Sequence, residues 1–82
     1  MDKSTEREAA ILRKRRIELG MTQMDVALNA GLQLQHYQNY EYGTRQLSKA
    51  TAILVLRICA VLELDPYEVV FGTSKDWFKR IR

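Results

Sequence analysis

A chain of 82 residues, 46% of them hydrophobic, can bury one small core and forms a single domain. One cysteine rules out an internal disulfide, and with it the disulfide-stapled secreted scaffold. The net charge of +3 is a mild basic bias, compatible with a nucleic-acid partner without establishing one.

The opening MDKSTEREAA carries no apolar run behind a basic start, so no signal peptide is expected and the chain reads as cytoplasmic. The longest apolar stretch, Ala50 to Leu62, is interrupted by Arg57. It falls short of the roughly 20 residues a membrane-crossing helix needs, so no membrane partner is expected.

In chain order the pattern is helical, with glycines and the one proline at segment ends. Helix one is expected over 5–19: Thr5 and Glu8 have capping-box spacing, Gly20 is a stop signal, and Ala9, Leu12, Arg16 and Leu19 share one side. Helix two is expected over 23–29, capped by Thr22 with Asp25 three residues on, with Val26, Ala27 and Ala30 inward and Gly31 ending it.

Helix three is expected over 34–41, with Gln33 an imperfect cap. At 100° per residue, Tyr37 and Tyr40 fall on the core side. Gln35, Gln38, Asn39 and Tyr42 fall opposite, with Leu34 at the margin. The segment GLQLQHYQNYEYGTR thus turns its amides outward and anchors itself by tyrosines.

Helix four is expected over 49–62, capped by Ser48. Being apolar almost all round, it reads as a central helix surrounded by the others. Helix five begins at DPYE, with Asp65 capping, Pro66 at the first helical position and Glu68 at the third, and ends at Gly72. The tail SKDWFKRIR can add an amphipathic turn, with Trp77, Phe78 and Ile81 on its apolar side. Its aromatic residues suit a dimer surface and the closing of the monomer core equally well.

Basic residues bracket the amide helix. Arg13, Lys14, Arg15 and Arg16 form a run, none occurs from Ile17 to Thr44, and Arg45 and Lys49 follow. An amide both donates and accepts, which matches the N7 and N6 groups of adenine in the major groove. Taken alone, though, such a face is more often merely solvated. One His and one Cys make a metal site implausible. His36 reads as a half-exposed flank residue before a phosphate contact, and Cys59 as a core thiol. There is no nucleophile–His–acid set and no glycine-rich phosphate loop, so neither an enzyme nor a cofactor is expected.

Two short helices around a tight glycine turn suggest a helix-turn-helix. Residues 9–71 resemble the phage repressor and Cro type of helix-turn-helix domain. The residues that carry the likeness are Arg16, Gly20, Thr22, Gln23, Val26, Ala27, Gly31, Tyr37, Tyr40, Glu41 and Gly43, with LELDPYEVV downstream. Val26 stands where leucine is usual, Leu47 where proline often sits, and the helix-four region is about three residues longer than common.

The resemblance implies an all-α, compact five-helix, lambda-repressor-like domain over 9–71. It would be preceded by an N-terminal segment, 1–8, and followed by a C-terminal amphipathic tail, 72–82, as a possible dimer contact. It also implies helix three as the recognition helix. Gln35, Asn39, Gln38 and Leu34 would face bases, while Gln23, Thr22, Tyr42, Thr44, Arg45 and Lys49 would meet phosphates. Arg16 and Glu41 would form a structural ion pair. The implied partner is a double-stranded DNA operator bound by a homodimer at the nucleoid, as a transcriptional repressor. An antitoxin with a toxin partner and a restriction–modification controller are alternatives on the same fold. A protein-interaction module without DNA is the reading from another class.

Overall fold

The computed structural model describes residues 3–72 of the chain, so the expectations for Trp77, Phe78 and Ile81 lie outside the described residues. Within them the order is α1 (Lys3–Glu18), α2 (Gln23–Ala30), α3 (Leu34–Glu41), a 3-10 turn (Leu47–Lys49), α4 (Ala52–Leu62) and α5 (Pro66–Phe71). No strand occurs among them. The fold is the all-helical, five-helix arrangement expected.

Apolar positions at helical spacing meet in one cluster. Leu12 of α1, Val26 and Ala27 of α2, Tyr37 of α3, and Ile58 and Leu62 of α4 are fully buried, with Leu47 and Val69 closing the sides. Burying a side chain of this size is worth about 1.5–3 kcal/mol. Most of the fold therefore rests on this cluster rather than on the propensity of eight-residue helices.

Helix α1 starts at Lys3, ahead of the expected Thr5. Thr5 is therefore no cap. It lies inside the helix and is buried, as is Glu8. The Glu8 carboxylate turns toward another element, where its Oε1 accepts the Ser48 N–H at 3.1 Å. Arg7, beside it, donates to the carbonyls of Glu68 at 3.2 Å and Val69 at 2.8 Å. It thereby ties α1 to the C-terminal end of α5, where the Glu68 carbonyl also accepts the Gly72 N–H at 2.9 Å. Capping-box spacing alone could not show that the acid serves a long-range bond.

Ser48 is likewise not the cap of α4, because residues Leu47–Lys49 are used in the 3-10 turn. Thr51 caps instead, its Oγ1 accepting the Leu54 N–H at 3.4 Å. Nor is α4 surrounded. Val55, Ile58, Cys59 and Leu62 are buried, but Ile53 is 64% and Leu56 54% exposed. Apolar composition shows that a helix can be buried, not that this chain has enough elements to cover it. Burial, and secondarily the charge of Asp65, push the Cys59 thiol up to about 11, as suits a core cysteine rather than a nucleophile. None of the described helices is long and apolar enough to cross a membrane.

Candidate nucleic-acid interface

The α2–turn–α3 unit is fixed at each joint. Thr22 Oγ1 accepts the Asp25 N–H at 3.0 Å, and Asp25 Oδ2 accepts the Thr22 N–H at 2.8 Å, the expected capping box. These bonds, the Thr22 backbone first, hold the Asp25 carboxyl below its ordinary value. At the far end Gly31 sits at φ +74°, where a side chain would be strained, and the Leu32 N–H reaches the Ala27 carbonyl at 2.8 Å. The chain then turns into α3, whose inner side is locked by Tyr37, fully buried, and Tyr40.

That seating turns the amides outward. Gln35 is exposed, Gln38 and Asn39 are half-buried, and Leu34 is half-buried at the first position of α3. Gln35 Nε2 donates to Asn39 Oδ1 at 3.1 Å, the one-turn spacing expected of neighbours on a helix face. Gln33, Gln35, His36, Asn39 and Arg45 line an open groove of about 330 Å³. His36 is half-buried, its Nε2 lying 3.2 Å from the Tyr40 hydroxyl.

Behind the face a polar network joins three helices. Arg16 Nη2 and Nε bond the Glu41 carboxylate at 2.8 and 2.9 Å, and Arg16 Nη1 donates to the Met21 carbonyl at 3.0 Å. Gln23 Nε2 donates to Glu41 Oε1 at 3.1 Å. Gln23 Oε1 in turn accepts from Gln38 Nε2 at 3.0 Å and the Tyr42 hydroxyl at 3.3 Å. Burial pushes Glu41 up, but the Arg16 guanidinium, the neighbouring Tyr37 hydroxyl and the Gln23 amide outweigh it and leave the carboxyl below its ordinary range. The Tyr37 hydroxyl is buried with no well-formed hydrogen bond, and burial followed by the nearby Glu41 carboxylate raises its pKa far above the phenol value. Glu41, 5% exposed, is thus a neutralised internal acid and presents no free charge toward the α3 surface.

The proposed phosphate-contact residues are grouped less tightly. Thr22, Tyr42, Thr44, Arg45 and Lys49 are all exposed, and Gln23 is half-buried in the network. Arg45 and Lys49 share a groove of about 310 Å³ with Tyr40, Gln46 and Ala50. Among the described residues neither cation pairs with a carboxylate. Thr44 faces Asn39, its Oγ1 lying 3.2 Å from Asn39 Oδ1.

Sequence reasoning missed how Gln23, Gln38 and Tyr42 interlock, and missed Thr44 on Asn39. The i, i+4 spacing of Gln35 and Asn39 was a usable signal. The separation of 15 from Gln23 to Gln38 was not, because that contact exists only once α2 and α3 have packed.

Two short helices crossing a glycine turn, the second seated by buried tyrosines with amides outward, define a helix-turn-helix domain. A model of the helix-turn-helix family, of Cro/C1 type, matches residues 12–68. The chain belongs to that family, whose members bind DNA as regulators. No curated protein and no solved structure matches the chain significantly.

Proposed function

We propose that the protein is a sequence-specific transcriptional repressor that reads the major groove with α3, binding a near-palindromic operator as a two-fold dimer. The observation that carries this reading is the outward amide face of Gln35 and Asn39, held by Tyr37 and Tyr40, with Arg45 at its edge. Base edges are neutral donors and acceptors, so amides read them while flanking cations meet phosphates. Gln35 can bond adenine N6 and N7 together. Gln38 and Leu34 lie beside it, Leu34 suited to a thymine methyl. Arg45 and Lys49, without carboxylate partners among the described residues, supply the positive charge. Thr22 and Gln23 at the start of α2 complete the backbone contacts through the positive helix end, with Tyr42 and Thr44 alongside, their hydroxyls turned to Gln23 and Asn39.

Two-fold binding is supported by apolar surface away from the α3 amides. Leu56, Pro66, Tyr67, Val70 and Phe71 line a groove of about 160 Å³, with Ile53 exposed one turn before Leu56. A second copy of the same patch is the occupant that gives two α3 helices the two-fold relation a palindrome needs.

The test is selection from random duplexes by the full chain, followed by a mobility shift on the enriched sequence. Enrichment of a paired half-site is the expected result. Failure to retain duplex, or retention with no sequence enriched, would overturn the reading.

A further inference from the structure

The hydrogen bonds around Asn39 leave its amide with only one direction to offer DNA. The Asn39 backbone carbonyl already accepts the Thr44 N–H at 2.9 Å and the Arg45 N–H at 3.1 Å. Two donors fill the two lone pairs of a carbonyl. The Thr44 hydroxyl lies 3.1 Å from that same oxygen and 3.2 Å from Asn39 Oδ1. It has one proton to give, and the side-chain oxygen is the acceptor with capacity for it. Asn39 Oδ1 therefore receives Thr44 Oγ1–H on one side and Gln35 Nε2–H, at 3.1 Å, on the other. Its acceptor is spent, and Nδ2 with two N–H groups is what the side chain has left.

We propose that Thr44 is a positioning residue for base specificity, committing Asn39 to act as a donor-only reader. This rests on the major-groove reading above and sharpens it. A donor-only amide complements guanine, which presents O6 and N7 as acceptors. It does not complement adenine, whose N6 donor would face an N–H. Gln35 keeps its Oε1 and one N–H, and so retains the adenine pattern. The two residues, one turn apart, then distinguish adenine from guanine although both are amides. Thr44 accordingly acts through Asn39 and not chiefly through a phosphate.

Selection from random duplexes is run on the wild type and on Thr44→Val, Thr44→Ser and Asn39→Ala. Valine keeps the branched shape and removes the hydroxyl, while serine keeps the hydroxyl. Asn39→Ala marks the base pair that Asn39 reads. At that pair the wild type should favour guanine over adenine by about tenfold. Thr44→Val should bring the two near parity, with the other operator positions unchanged, and Thr44→Ser should restore the preference. A Thr44→Val selection identical to wild type would overturn the proposal, as would adenine favoured by the wild type at that pair. A uniform loss of affinity with unchanged preference would show Thr44 to be a phosphate contact only. In each of these outcomes the wild type still selects an operator, so the major-groove reading survives. A wild type that enriches nothing defeats both.

Discussion

Arg16 holds Glu41 with two nitrogens, Nη2 2.8 Å from Oε1 and Nε 2.9 Å from Oε2, and so pins the C-terminal end of α3 to α1. The Glu41 side chain is 1% exposed and that of Arg16 14%. Removing one partner of a buried pair strands the other charge, at a cost of about 3–5 kcal/mol. Arg16→Met should therefore lose stability in that range in denaturant unfolding. A loss under about 1 kcal/mol would mean that water replaces the arginine, as at an exposed pair.

Because the Glu41 carboxyl sits below its ordinary value in the folded protein, its ionisation stabilises the fold above the unfolded-state value of about 4.3. That contribution is lost as pH falls from there through the lower folded-state value. Glu41→Gln has no charge to lose at this position. Melting curves at neutral pH and near pH ~3 should thus show the wild type falling further than the variant. Equal drops would place the acid sensitivity in other carboxylates.

The helix-turn-helix was legible because local chemistry dictates it. Thr22 with Asp25 caps, Gly31 takes the left-handed turn, and the tyrosines of α3 repeat at helical spacing. Each of those signals operates within a few residues. What escaped were matches between distant elements. Glu8 has capping spacing from Thr5, yet its carboxylate receives an N–H 40 residues away. Apolar α4 looked central, but coverage depends on how many helices exist to surround it. Within the candidate site, the faces of α3 followed from its period. The Gln23–Gln38–Tyr42 bonds did not, because amide orientation is decided by partners that only folding brings near.

Gln35 stands alone among the α3 amides in being fully on the solvent side while keeping a free acceptor. Gln35→Ala should relax preference at one position of each half-site, with about 1–3 kcal/mol of discrimination lost there and the melting temperature unchanged. Sequencing the duplexes selected by the variant checks this, and an enrichment pattern equal to wild type would remove Gln35 from base reading.

Arg45 is exposed and free of carboxylate partners among the described residues, so its charge is available to a phosphate. Neutralising it as Arg45→Gln should weaken binding to operator and unrelated duplex alike. The slope of log affinity against log salt should fall by about 0.9. A titration across salt concentrations whose slope does not change would show that Arg45 stays clear of the backbone.

In the proposed reading one α3 would make a handful of base contacts, too few to separate an operator from the excess of competing genomic sites. Two copies related by a two-fold axis double those contacts and set half-site centres about 34 Å apart, one turn of DNA. The surface suited to joining them is the α4–α5 face. Leu56 is 54% and Phe71 58% exposed, and the Tyr67 and Phe71 rings stack at 6.1 Å beside the same groove. A charge placed there meets its own copy across a two-fold axis, where desolvation and like-charge repulsion both oppose association. Leu56→Glu lies on the solvent side of α4, so the monomer fold should keep its melting temperature. Sedimentation of the full chain should show a dimer for the wild type and a monomer for Leu56→Glu, with operator affinity falling in parallel. Removal of residues 74–82 should weaken association further if the tail extends the face. A wild type that stays monomeric when free and gains nothing from a second half-site on DNA would remove the dimer from the proposed function.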